Sequence, residues 1–169
     1  MVLNQARLSA RVARARSAVA HGTAYRLGKG GFDPRAKLPH DSSKGCDCSG
    51  FVAWVCGLRR DQVNARKPWS KLLPWIETTM VRADAVGKQL VFVRISEPVA
   101  GCLVVYGDKG RSQGHIGVVT RVGPNKKSID VVDCSSGQYK RTGEAIDERN
   151  GDFFINAGAI FVVLKEDFV

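Results

Sequence analysis

The segment Gly45-Cys46-Asp47-Cys48-Ser49-Gly50-Phe51-Val52 decides how this chain folds. It joins a stretch rich in Gly and Pro to an apolar run that ends at Gly57, a pattern that predicts a loop leading into a helix over 48–57. A cysteine at a helix N-terminus faces unpaired N–H groups and the positive end of the helix dipole, which favour the thiolate. Cys48 has this position and is therefore the candidate nucleophile.

Thiolate chemistry at neutral pH also needs a base, and the sequence offers three histidines, His21, His40 and His115. His21 and His40 lie in the Gly- and Pro-rich stretch before Cys48. His115 begins a predicted strand over 115–122, and its flanking glycines let other segments approach closely. His115 is the stronger candidate.

A third group must orient the imidazole by accepting a hydrogen bond from its second nitrogen. Asp133 ends the next predicted strand and can meet His115 across a hairpin. An exposed carboxylate at a strand end is the alternative interpretation of Asp133. Asp130 and Asn156 are competing candidates for the orienting position.

Before this segment, residues 3–20 form an amphipathic pattern. Leu8, Val12, Ala15 and Val19 lie on one apolar stripe, and arginines lie on the adjacent stripe, at positions 7, 11 and 14. The pattern predicts a basic surface helix over 1–20, which either solvates its outer side or binds an anion. Residues 21–45 show no periodicity and are predicted to be a long loop, which in compact domains is usually functional.

After the nucleophile segment the pattern changes from helical to β-branched. A further helix, interrupted by Pro74, is predicted over 69–86. Strands are predicted over 90–95, 102–106, 115–122, 128–133 and 154–164, with hairpin turns at 107–114 and 123–127. Connections this short join antiparallel strands. We therefore expect an α+β fold with helices on a mainly antiparallel sheet.

The composition limits the kinds of partner that the chain is expected to bind. The 169 residues include 26 Lys and Arg against 16 Asp and Glu, giving a net charge of +10 that attracts anionic polymers. Length favours a single domain over 1–169. No apolar run reaches the roughly 20 residues of a membrane span, and the N-terminal arginines interrupt any secretory signal. Basic residues are not interleaved with aromatic residues, so we expect no nucleic acid partner.

The cysteines do not form a recognisable scaffold. There are five of them, an odd and irregular set, so at least one thiol is unpaired. Cys46 and Cys48 lack the C-x₂₋₄-C spacing of zinc sites and no second pair follows, so we expect no metal and no cofactor. Cys46 is a buried small residue, a redox partner or a mispairing hazard. Cys56 is interpreted as a core residue.

Three blocks of sequence resemble the motifs of NlpC-type cysteine peptidases, papain-like bacterial cell-wall hydrolases related to the CHAP amidases. They are Gly-Thr-Ala-Tyr-Arg-Leu-Gly at 22–28, where alanine replaces the usual proline, Asp-Cys-Ser-Gly-Phe-Val at 47–52, and Gly-His-Ile-Gly-Val-Val at 114–119. The blocks occur in the family's order. The resemblance covers 18–137, with a motif-bearing core over 21–137.

The resemblance implies roles for individual residues. Cys48 corresponds to the nucleophile, His115 to the base and Asp133 to the orienting group. In relatives that cut next to a free peptide amine, the residues matching Tyr25, Asp47 and Ser49 line the substrate pocket, although Asp47 can equally be a helix cap. The sequence departs from the family at Cys102, which replaces an aspartate, so that aspartate's contact is absent or replaced.

The implied function is hydrolysis of an amide bond in the peptidoglycan stem peptide, with the D-glutamyl–diaminopimelate bond as the expected site. Other wall amidases and a non-catalytic basic wall-binding module are alternatives. The chain, without a signal peptide, is expected to be made in the cytoplasm and delivered to the cell wall or periplasm as a phage lysin or type VI effector. A toxin would have an immunity protein as partner. We expect a monomer.

Overall fold

The computed structural model describes residues 2–61 and 75–169. Within these residues the helices are α1 (Gln5–Arg16), α2 (Cys48–Val55), α3 (Thr78–Val86), α4 (Ser136–Thr142) and α5 (Asp152–Asn156). The strands are β1 (Ala24–Tyr25), β2 (Gly45–Cys46), β3 (Phe92–Ile95), β4 (Leu103–Tyr106), β5 (His115–Val122), β6 (Ile129–Cys134), β7 (Ile146–Asn150) and β8 (Ile160–Leu164). A short 3-10 helix, Lys165–Asp167, follows β8.

Six strands form one sheet in the order β3-β8-β4-β5-β6-β7, and each neighbouring pair is antiparallel. The prediction of an α+β fold with an antiparallel sheet is confirmed. β4, β5 and β6 are consecutive hairpins, as their short connections require. β8 comes from the C-terminal end of the chain, yet it lies between β3 and β4.

Several predicted boundaries are wrong. The predicted strand over 154–164 begins as α5, and only Ile160–Leu164 is a strand. α4 and β7 were not predicted. β7 contains a single apolar residue and shows no alternation of apolar and polar residues, so its sequence does not indicate a strand. The first helix is Gln5–Arg16, shorter than 1–20. The predicted helix over 69–86 is present as Thr78–Val86, and its first part lies outside the described residues.

Both faces of the sheet are covered by helices. On one face α2, whose residues are all buried, packs against Leu103, Ile116 and Val132. On the other face Leu8 of α1 and Phe154 of α5 pack against Val104 and Val119. Side chains alternate between faces along each strand, so a residue's position in the strand decides which layer it joins. The domain therefore has three layers, with the sheet between two layers of helices.

The arginines of α1 are bound within the protein. Arg11, expected on the basic stripe, is buried and forms a bidentate ion pair with Asp167 at 2.8 Å from each nitrogen. Arg11 also donates to the Gly101 carbonyl at 3.0 Å, next to Cys102. Other arginines of the helix contact acidic side chains and an aromatic ring, in the pairs Arg7–Glu166, Arg16–Glu148 and Arg14–Trp54. The helix is therefore fastened to the domain by its basic residues.

Replacing Asp167 with alanine is expected to lower the free energy of unfolding by about 3–5 kcal/mol, because it leaves the buried Arg11 guanidinium without a counter-charge. The carboxylate also accepts from the Leu164 N–H at 2.8 Å, a second bond that is lost. Urea unfolding followed by circular dichroism measures the change. Glu166→Gln is the matched control, since its pair with Arg7 is about half exposed and contributes little. Equal effects of the two substitutions would contradict this account.

The predicted loop over 21–45 returns on itself. Its two ends pair as the parallel strands β1 and β2, which sets Tyr25 opposite Cys46. Its middle packs directly on α2, where a Cβ on Gly50 would lie 2.4 Å from the Lys29 carbonyl oxygen. Only glycine permits this approach of helix and loop backbones. The loop therefore lies along one side of the first turn of α2.

Candidate active site

Cys48 is the first residue of α2, as predicted. Asp47 caps the helix, with its carboxylate accepting from the Gly50 N–H at 2.9 Å. The Cys48 residue is 6% exposed, at the base of a cleft. Among the described residues, the N–H groups of Cys48 and Ser49 have no hydrogen-bond acceptor. They can therefore bind an oxyanion that develops beside the sulfur.

His115 and Asp133 are in direct contact, with 2.5 Å between His115 Nε2 and Asp133 Oδ2. His115 is the first residue of β5, and Asp133 pairs with Gly117, two residues further along that strand. Positions 115 and 117 face the same side of the sheet. A Cβ at 117 would lie 3.2 Å from the Asp133 Cβ, so the missing side chain leaves the imidazole room to reach the carboxylate.

The imidazole also lies close enough to the Cys48 thiol for that group to raise its pKa. Because Nε2 is bound by Asp133, the other ring nitrogen, Nδ1, is the one available to the sulfur. Burial lowers the pKa of His115, but hydrogen bonds and negative charges from Asp133 and Cys48 outweigh it and raise the pKa to about 9. The histidine is therefore protonated at neutral pH and is paired with the Asp133 carboxylate.

Asp133 has a second cationic partner that the sequence analysis missed. Arg149 donates from Nε to Oδ1 at 2.9 Å and from Nη2 to Oδ2 at 2.6 Å. Burial raises the pKa of the Asp133 carboxyl, yet the bonds to His115 and Arg149 outweigh it and lower that pKa. Arg149 lies on β7, the strand that no periodicity predicted. The carboxylate is thus ionised and fixed from two sides.

Aromatic rings hold the imidazole in place. The Phe154 ring stacks on His115 with 5.2 Å between centroids and 10° between planes. Tyr106 and Phe153 lie further away, at 6.3 and 6.2 Å. Phe154 belongs to α5, where a strand had been predicted, so its contact with the histidine had no signal in the sequence.

The competing candidates lie elsewhere. Asp130 forms an ion pair with Arg121 at 2.5 Å on a largely exposed part of the sheet. Asn156 is the last residue of α5, and no described contact joins it to His115. The structure therefore brings Cys48, His115 and Asp133 together and leaves Asp130 and Asn156 apart from them.

Asp47 is fully engaged within the protein. Its carboxylate accepts from the Gly28 N–H at 2.6 Å as well as from Gly50, and Arg60 binds both oxygens at 2.7 and 2.8 Å. The Asp47 and Arg60 side chains are only 2% and 3% exposed. Asp47 is therefore positioned as the cap of α2, and Arg60 balances its negative charge.

Two cavities adjoin at Tyr25, Gln113 and Gly114, which line both of them. One, of about 200 Å³, is lined by Cys48 together with the predicted pocket residues Tyr25, Asp47 and Ser49. The other, of about 300 Å³, is lined by His115 and Arg149. The cleft therefore extends from the Cys48 cavity to the His115 cavity.

Three of the other cysteines have raised thiol pKa values. All five thiols are free, and burial raises the pKa of Cys56 to about 11 and that of Cys102 to about 12. Burial also raises the pKa of Cys134, which lies beside Cys46. Within residues 2–61 and 75–169, no group of three or more His, Cys, Asp or Glu side chains could hold a metal ion. No helix in those ranges is long and apolar enough to cross a membrane.

Comparison with known families agrees with this geometry. A family model for the CHAP domain matches residues 39–135, more than half of the chain. The chain therefore belongs to the CHAP domain family, whose members are cysteine- and histidine-dependent amidohydrolases and peptidases related to NlpC-type enzymes. The resemblance stated from the sequence is confirmed, although its first block, 22–28, lies outside the matched residues. A search of curated proteins finds no match.

Membership of this family makes the chain a cell-wall hydrolase, with peptidoglycan as its substrate. The family is defined by a cysteine and a histidine, and Cys48 and His115 both lie within the matched residues.

Proposed function

We propose that this chain is a cysteine peptidase that hydrolyses an amide bond of the peptidoglycan stem peptide, with the D-glutamyl–diaminopimelate bond as the site of cleavage. Cys48 is the nucleophile, His115 the general base and acid, and Asp133 the orienting group. The observation that carries the proposal is the His115–Asp133 hydrogen bond next to Cys48 at the start of α2, in a cleft formed by two adjoining cavities.

The proposed reaction proceeds by acyl transfer. The Cys48 thiolate attacks the scissile carbonyl, and the Cys48 and Ser49 N–H groups bind the resulting oxyanion. His115, protonated next to the thiolate, gives its proton to the leaving amine. Water, deprotonated by the now neutral His115, then releases the acyl group and regenerates the thiolate. Asp133 and the Phe154 ring hold the imidazole in the orientation that both transfers need.

The test is digestion of purified diaminopimelate-type peptidoglycan with identification of the released fragments by mass spectrometry. Fragments that end at D-glutamate and begin at diaminopimelate support the proposal. Treatment with iodoacetamide beforehand is expected to abolish release by alkylating Cys48. Release of muropeptides cut at another amide would support the hydrolase activity and assign it to a different bond. Sedimentation with the wall without any release would favour a binding module instead.

The proposal extends to the biological setting. We propose delivery to the wall by phage or by a type VI secretion system, since the segment 104–111 before β5 resembles that of type VI amidase toxins. An immunity protein that enters the cleft would then be the partner. Pull-down with the catalytically inactive chain from the producing bacterium tests this. Recovery of a protein that inhibits hydrolysis supports a toxin.

The activity is expected to fall as pH rises through about 9, because the leaving amine needs the His115 proton and the pKa of that group is raised to about 9. The sign follows from the raised value: the imidazolium, paired with the Asp133 carboxylate, persists below it and is lost above it. The pH dependence of kcat/KM, measured with a soluble peptide substrate, reports this ionisation. An alkaline limb near 6.5, the ordinary pKa of histidine, would contradict the proposed ion pair.

A further inference from the structure

The cleft carries different charges on its two sides. The cavity beside Cys48 is lined by Glu77 and Asp108, while the charges of Asp47 and Arg60 cancel. Glu77 is half-buried and caps α3, and Asp108 is exposed and accepts from the Gly114 N–H at 2.6 Å. On the other side, protonated His115 and Arg149 contribute two positive charges against the single negative charge of Asp133. The cleft is therefore acidic on the Cys48 side and basic on the His115 side.

The proposed reaction assigns the two parts of the substrate to these sides. The acyl group becomes bonded to the Cys48 sulfur, so it occupies the cavity lined by Cys48. The leaving amine takes its proton from His115, so it must lie against the imidazole. The fragment that leaves with the amine therefore enters the cavity lined by His115 and Arg149.

Arg149 is suited to bind an anion in that cavity. Its Nε and Nη2 are bound to Asp133, whereas Nη1 has no hydrogen-bond acceptor within the part of the chain that the structure describes. The side chain is 27% exposed, and its guanidinium lies 4.6 Å from the Phe153 ring centroid. The ion pair and the ring hold the planar group in one orientation. Its unpaired N–H groups thus form a fixed donor set.

We propose that Arg149 is a specificity-determining residue that binds a carboxylate on the leaving fragment. The preferred scissile amide then joins its acyl group to an amino acid that bears a free carboxylate. A guanidinium is the side chain best matched to a carboxylate, since it offers several N–H donors in one plane. This inference rests on the proposed hydrolysis and adds the chemistry of the leaving fragment to it.

The test uses two synthetic stem-peptide substrates that differ in one group, a free carboxylate or a carboxamide on the leaving residue. The wild-type chain is expected to prefer the carboxylate by about 10- to 100-fold in kcat/KM, the range of a hydrogen bond to a charged group. In Arg149→Gln the preference is expected to fall close to 1. Arg149→Lys, which keeps the charge without the planar donors, is expected to retain part of it.

Arg149 also holds Asp133, so its replacement lowers the rate on both substrates. The ratio of the two rates removes this common loss and reports binding of the carboxylate alone. Arg121→Gln is the matched control, because Arg121 forms an exposed Arg–Asp pair on the same sheet with Asp130. This control is expected to keep the full preference.

Each other outcome overturns the inference. Equal wild-type rates on the two substrates would agree with the proposed hydrolysis but would contradict a carboxylate-binding site at Arg149. A preference that survives in Arg149→Gln would place the carboxylate on another residue. If the wild-type chain cleaves neither these peptides nor peptidoglycan, the proposed function fails and the inference fails with it.

Discussion

Replacing Cys48 with alanine is expected to reduce peptidoglycan hydrolysis by roughly 10⁴-fold or more, because the reaction loses the atom that attacks the carbonyl. The other candidate groups cannot replace it. In the proposed mechanism His115 and Asp133 orient and move a proton, and neither is positioned by the first turn of α2 as the sulfur is. The measurement is the initial rate of release of soluble muropeptides by wild-type and variant chains at equal concentration.

Two controls separate this loss from misfolding and from a general effect of losing a thiol. Cys56→Ala removes another cysteine, at the C-terminal end of the same helix, and is expected to keep wild-type activity. The Cys48→Ala variant is expected to keep the wild-type circular dichroism spectrum and to sediment with peptidoglycan. Activity in Cys48→Ala above a few per cent of wild type would assign the chemistry to another residue.

Replacing Asp133 with asparagine is expected to reduce kcat/KM by about 10³- to 10⁴-fold, as loss of the orienting carboxylate does in other triads. Asp133 accepts hydrogen bonds at both oxygens, from His115 Nε2 at one and from Arg149 at both. An asparagine amide has one acceptor oxygen and one NH₂ group. Either orientation of the amide points its N–H groups at a donor, so the imidazole loses its partner or the arginine does.

The control for this substitution is Asp130→Asn, three residues earlier on the same strand. Asp130 pairs with Arg121, whose side chain is 72% exposed, so breaking that pair costs little. We expect wild-type kcat/KM in Asp130→Asn. The alkaline limb of the pH profile is expected to move below 9 in Asp133→Asn, because the carboxylate that helps raise the pKa of His115 is gone. Unchanged rates in both variants would remove Asp133 from the mechanism.

The parts of the site that the sequence predicted depend on short-range geometry. A helix beginning at Cys48 follows from the Asp47 cap and the apolar run, and both lie within ten residues. The contact of His115 with Asp133 follows from one hairpin, whose register shifts by one residue between Val119 and Arg121. A glycine at 117 marked the position where the imidazole needs space. Each of these signals acts over a single element or a single turn.

Other parts of the site had no local signal. Arg149 meets Asp133 because β7 pairs with β6, yet its strand contains one apolar residue. Phe154 stacks on His115 from a helix of five residues within a run that suggested a strand. The sequence also left Asp47 open as substrate ligand or helix cap. Its pairing with Arg60, thirteen residues away, is a contact of the folded chain alone.

The sequence alone was enough to predict a cysteine at a helix start and a histidine at a strand start, and to recognise the family. The surroundings of these two residues follow only from the fold. It inserted β8 between β3 and β4, buried Arg11 against Asp167, balanced Asp47 with Arg60 and brought Arg149 to Asp133. The physical reason is the sequence separation over which each interaction acts. Periodicity and capping act between near neighbours, whereas buried ion pairs join residues that only the complete fold brings together.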